Sequence, residues 1–139
     1  MADPFSLERF VDAQAPVYDE VRRELMAGRK QSHWMWFMFP QIAGLGQSPM
    51  SIRFAIASLD EAKAYMAHPV LGARLRECAR LTLNVAGKTA RDIFGSIDEI
   101  KFRSSMTLFA RAAPDAGVFQ RCIDKYFAGS PDPATLARV

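Results

Sequence analysis

Apolar residues recur at helical spacing along most of the chain. Val17, Val21 and Leu25 fall at i, i+4 and i+8, with Tyr18 beside them and Glu20, Arg23 and Ala27 opposite; this is the stripe of an amphipathic helix. Val70, Leu71, Leu75, Cys78, Leu81 and Leu83 repeat it in a longer helix ending near Gly87, and Phe119, Ile123 and Tyr126 in a last one over 118–127. Start signals precede these runs. Ser6 can cap a helix from Leu7, Pro16 suits a first turn, Thr89-x-x-Asp92 starts a helix of one to two turns, and Ser58-x-x-Glu61 and Ser96-x-x-Glu99 read as capping boxes. Gly28, His68-Pro69, Gly95, Pro114 and Gly129 supply the stops. Residues 44–49 read as a loop, and 52–56 fit either a helical turn or an extended piece. No run alternates with the period of a half-buried strand. The expectation is an all-α, single compact multihelical domain of about seven helices spanning residues 1–139, with 1–5 and 130–139 as frayed ends.

One stretch breaks the pattern. Residues 28–46, GRKQSHWMWFMFPQIAGLG, hold both tryptophans and one of the two histidines. Their centre, Trp34 to Phe39, is apolar without helical or strand periodicity, as in a segment buried on all sides. Ser32 as cap and Pro40 as stop predict a short helix of about two turns. The run fits two roles. It is either the centre of the core, or an aromatic floor of Trp34, Trp36 and Phe39 with polar groups at its rim, which is the build of a small-molecule cleft. The rim candidates are Lys30 and His33 before the run and Gln41, Gly44, Gly46 and Ser48 after it. GLGQS follows no strand and lacks a third glycine, so it is no dinucleotide fingerprint; a nest of backbone amides for an anion is the alternative.

The helix from Ile97 is the second candidate element. Ile100, Phe102, Met106, Leu108 and Phe109 cover most of its circumference and predict burial. Asp98, Lys101 and Ser105 share one stripe, flanked by Ser104 and Thr107. A polar stripe on a buried helix needs partners, from a neighbouring helix or a ligand; otherwise Asp98 and Lys101 form a surface pair worth under about 1 kcal/mol. Ala90 to Phe94, Gly95 and then Ile97 onward also have the outline of a helix-turn-helix, offering Lys101, Arg103 and Ser104 to a major groove. The bulky apolar faces of Phe102, Met106 and Phe109 argue against that.

Bulk properties exclude little. At 50% hydrophobic and 24% charged residues the composition is that of an ordinary globular domain. The net charge of +3 is spread through mixed-sign segments such as Arg74, Arg76, Glu77 and Arg80, which describes solvated helix surface better than a nucleic-acid footprint. Cys78 and Cys122 lack metal or redox spacing and read as buried thiols. No metal, cofactor or membrane partner is expected, and the charged N-terminus MADPFSLERF gives a cytoplasmic expectation.

GRKQSHWMWFMFPQIAGLGQS, AHPVLGARL and DEIKFRSSMTLF together resemble the bacterial family known as domain of unknown function 1810, from about Phe10 to Phe127. The resemblance implies a small, mainly α-helical single domain with a cleft and no settled activity; the calpastatin-like label some members carry is not transferred. A fainter similarity, in the Lys101-Phe102 segment and the aromatic helical layout, is to YbiA-like NAD and ADP-ribose associated (NADAR) proteins. Those look like N-glycosidases on ribosylated ligands.

The resulting expectation is a protein that binds, and as an N-glycosidase-type hydrolase would cleave, a small polar ligand of nucleotide or ADP-ribose type. Trp34, Trp36 and Phe39 would wall the ligand, Lys30, Lys101 and the 44–48 loop would hold anionic groups, and His33, Gln41, Ser104 and Ser105 would line the site. Asp98 or Glu24 would supply the carboxylate such cleavage needs. The alternative is a non-catalytic interaction module, whose sign would be an exposed aromatic patch.

Overall fold

The structure is a computed structural model describing residues 3–139. Helices account for 64% of the residues, and among the described residues no strand forms. A parallel bridge pairs Ile42 with Ile56, so 52–56 is both of the things its sequence allowed, a helical turn and then an extended residue. Among the described residues nine α-helices run in the order α1 (Glu8–Gln14), α2 (Tyr18–Met26), α3 (Met35–Met38), α4 (Pro49–Arg53), α5 (Leu59–Ala67), α6 (Leu71–Leu83), α7 (Ala90–Ala112), α8 (Val118–Phe127) and α9 (Pro133–Leu136). This corrects the expected count of about seven. The extra elements are single turns such as α4 and α9, too short to show a 3.6-residue period.

Helix α7 is the axis of the domain, packing against α5, α8 and α9, while α6 packs against α2, α5 and α8. Phe102, Met106, Leu108 and Phe109 on α7 have no exposed surface. Phe102 stacks on Phe94 with centroids 4.7 Å apart and meets Phe39 edge-on at 5.1 Å; Phe39 in turn lies 6.2 Å from Trp34. A second aromatic line runs from Phe10 through Tyr65 and Phe109 to Phe119. The apolar run of the central stretch is therefore largely core. Helix α3 spans four residues rather than two full turns, because Phe39 leaves the helical region before Pro40.

Several local expectations are corrected. Ser6 does not cap α1; its φ is +53°, and the Asp3 carboxylate accepts the Leu7 and Glu8 N–H groups. Ser32 does not cap α3, since its hydroxyl donates to Glu24. The box at Ser58 is half-formed: Ser58 accepts the Glu61 N–H, but the Glu61 carboxylate takes the Ala57 N–H and the Arg9 guanidinium. Ile100 is exposed, not buried. Within residues 130–139, Asp132 caps α9 and accepts hydrogen bonds from Ser104 and Thr135, and Thr135 is fully buried. Of the expected N-terminal fray, Met1 and Ala2 lie outside the described residues. The box at Thr89 is complete, and Gly95 breaks α7 with φ +87° and ψ 168°.

Candidate functional site

The break at Gly95 and the turn at Gly28 build one concavity. Helix α2 ends in a Schellman motif: with Gly28 at φ +70°, its N–H bonds to the Leu25 carbonyl and the Arg29 N–H to the Glu24 carbonyl. The chain then reverses past Glu24, whose carboxylate organises the next turn. Oε1 accepts the Gln31 and Ser32 N–H groups and the Trp34 indole N–H, at 2.7, 2.9 and 2.9 Å, and Oε2 accepts the Ser32 hydroxyl at 2.6 Å. Burial opposes the charge on this carboxyl, which is 4% exposed. The bonds from the Ser32 side chain and backbone, Gln31 and Trp34 overcome that and hold its pKa down at about 2.

The reversed segment docks on the first part of α7. The Lys30 N–H donates to the Ile93 carbonyl at 2.8 Å. An unbroken helix would give that carbonyl to Ile97, so the break at Gly95 and the docking of Lys30 belong together. The Gly95 conformation is one that only glycine adopts readily. A Cβ there would meet nothing within 4 Å, so the backbone angle alone demands glycine.

Between the two walls lies a cavity of about 390 Å³. Met35, Trp36, Phe94 and Ile97 form its apolar side, and Lys30, His33, Ser96, Asp98 and Lys101 its polar side, with Gly95 at the break. The two lysines are not equivalent. The Lys30 ammonium, on a side chain 9% exposed, donates to the Ser32 carbonyl at 2.6 Å, lies 3.0 Å from Asp98 Oδ2 and sits 5.1 Å from the Trp34 ring centroid. The Lys101 ammonium stands 5.3 Å over the Trp36 ring and 3.9 Å from Asp98 Oδ1, beyond hydrogen-bond reach. Lys30 is engaged by the protein on three sides. Lys101 is poised against an indole face with donors to spare.

Five of the sequence candidates thus share one cavity: Lys30, His33, Trp36, Asp98 and Lys101. Trp34 and Phe39 lie in the core beneath, each 1% exposed. Glu24 supports the wall from behind. Gln41 lies away from the cavity, its carbonyl accepting the Ile56 N–H, and Ser48 caps α4. Gly44 and Gly46 lie on the loop leading into α4; Arg138 reaches the Gly44 carbonyl, and Ser51 packs on Gly46. Ser104 bonds to Asp132, and Ser105 is fully buried with its hydroxyl unpartnered. Sequence reasoning missed Met35, Phe94, Gly95, Ser96 and Ile97. The adjacency of two helix-start signals across Gly95 was the one clue to that wall. Arg103, a candidate for a groove-reading helix, points its guanidinium at the Ser130 and Pro131 carbonyls. Among the described residues, no group of three or more metal-ligating side chains forms, and no helix is long and apolar enough to cross a membrane.

The model of one family, described as protein of unknown function (DUF1810), matches residues 4–139. The chain belongs to that family. A solved structure similar to this DUF1810 domain is that of the conserved hypothetical protein Rv1873 from Mycobacterium tuberculosis: 53% identical, covering 97% of this chain and 96% of that one, with a TM-score of 0.96. No curated protein matches.

Proposed function

We propose that the cavity between residues 28–36 and 94–101 binds a small organic anion of nucleotide or ADP-ribose type. The observation that carries this is the Lys101 ammonium, held over Trp36 with its nearest carboxylate oxygen 3.9 Å away. A partly buried cation with spare donors beside apolar Met35, Phe94 and Ile97 suits a ligand that is part ring and part oxyanion. Lys30 holds Asp98 in place rather than meeting the ligand. In the finer form of this reading the protein is an N-glycosidase: Asp98 is the one carboxylate lining the cavity, and it would stabilise the cationic sugar as the bond to the leaving base breaks. Glu24 acts indirectly, by holding the turn that carries Lys30 and His33. A cytoplasmic location belongs to the same reading, and free, buried Cys78 and Cys122 suit a reducing compartment.

The test is a thermal melt against nucleotides, ADP-ribose and sugar phosphates. A ligand at one hundred times its Kd adds about 2.7 kcal/mol, or roughly 8 °C in a domain of this size. Lys101→Met should leave the unliganded melt within about 2 °C of the parent and abolish the ligand shift. An unchanged shift in that variant removes Lys101 from the site. Silence across the whole panel would instead favour an interaction module, for which exposed Ile97 and Ile100 are the available surface.

A further inference from the structure

An anion alone leaves part of the cavity unanswered. Asp98 uses only one carboxylate oxygen at close range: Oδ2 meets Lys30 at 3.0 Å, whereas Oδ1 has no closer cation than Lys101 at 3.9 Å. An ion-paired carboxylate accepts hydrogen bonds and cannot donate them. Oδ1 therefore offers lone pairs to whatever fills the cavity, and it repels a bare oxyanion placed beside it. The neighbouring Lys101 ammonium offers only donors. An occupant that suits both presents a hydroxyl hydrogen and an acceptor oxygen side by side.

The acceptor part can be specified further. The helical run restarts after Gly95, and the Ile93 carbonyl, which an unbroken helix would give to the Ile97 N–H, is taken by the Lys30 N–H. Ser96, Ile97 and Asp98, at the start of that run, line the cavity together with Lys101 and the exposed His33. Donors from both walls, with the start of a helical run between them, suit the three oxygens of a phosphoryl group better than the two in-plane oxygens of a carboxylate. The cavity of about 390 Å³ is also far larger than free phosphate fills.

Resting on the anion-binding reading above, we propose that the ligand is a hydroxylated phosphate ester. Asp98 Oδ1 accepts from a hydroxyl near the phosphate, while Lys101 and the first-turn amides hold the phosphoryl oxygens. Asp98 is then the residue that sets specificity, selecting polyol phosphates over simple ones.

The experiment is calorimetric titration of the whole protein with four probes: inorganic phosphate, propyl phosphate, glycerol 3-phosphate and ribose 5-phosphate. Glycerol 3-phosphate should bind about tenfold or more tightly than propyl phosphate, which has the same carbon chain without hydroxyls. Asp98→Asn, whose amide both donates and accepts, should bring that ratio below about threefold and leave propyl phosphate bound as tightly or more so. Because Asp98→Asn strips Lys30 of its counter-charge, Lys30→Met/Asp98→Asn serves as a second variant with no orphaned cation. Equal affinity of the two esters for the unaltered protein, or a ratio that survives in both variants, overturns the role of Asp98 while leaving a phosphate site. Failure of all four probes overturns the anion-binding reading itself. If neither variant folds, the ratio in the unaltered protein decides alone.

Discussion

Replacing Glu24 by Gln tests the foundation of the candidate site. The carboxylate is 4% exposed and accepts four hydrogen bonds from the turn that carries Lys30, His33 and Trp34. Bringing a carboxyl from its ordinary 4.5 down to about 2 corresponds to about 3 kcal/mol of folding stability at neutral pH. The folded state holds this proton less tightly than the unfolded chain does. The contribution is therefore complete above about pH 5 and declines as the pH falls through 4.5 toward 2. Glu24→Gln keeps one carbonyl oxygen for the three N–H donors but loses the charge and turns an –NH2 toward Ser32. Urea unfolding should show a deficit of about 2–3 kcal/mol at pH 7 that shrinks to about 1 kcal/mol at pH 2.5. A deficit under about 0.5 kcal/mol at pH 7, or one that is the same at both pH values, refutes the reasoning.

The remaining predictions concern the walls. Trp34→Ala should cost about 3–5 kcal/mol in urea unfolding, since it empties a core position and removes one of the four hydrogen bonds to Glu24, whereas Trp36→Ala should cost under about 2 kcal/mol and release Lys101. If both variants are equally destabilised, Trp36 is core. Gly95→Ala should cost about 1–3 kcal/mol by thermal melt from backbone strain alone; an unchanged melt would show that residue 95 takes another conformation. Ser105→Ala should be neutral or stabilising within about 1 kcal/mol, because the lost hydroxyl has no partner, and a larger loss would reveal one.

Much of the fold was legible because stripe, cap and stop agreed with one another. At Thr89, Asp92 and Gly95 each residue has the role its type implies, and Gly28 closes α2 as its position suggests. Legibility failed where the partner of a polar group is distant in sequence. Ser32 looks like a cap until Glu24, eight residues back, claims its hydroxyl. Ser104 looks like a site residue until Asp132 does the same. Ile100 fits a buried stripe by spacing, yet no element covers that face of α7 and it stays exposed. Of the residues picked out by their chemistry, Lys30, His33, Trp36, Asp98 and Lys101 line one cavity. The spacing of the 44–48 glycines, by contrast, carried no information about which surface they would face. Apolar lining such as Met35 and Phe94 has no signature that separates it from core.

The docking of Lys30 on Ile93 also bears on when the cavity comes into being. Its walls, residues 28–36 and 94–101, are almost sixty residues apart in the chain and meet through contacts that no local segment can make by itself. Closing so long a loop costs entropy before any contact returns it, so the cavity is a product of the whole fold and not of any one segment. On the ribosome, no nascent chain that stops short of Lys101 contains both walls. A truncated or stalled product would expose Trp36, Phe94 and the unpaired Lys30 together, an apolar and cationic surface of the kind that chaperones and proteases recognise.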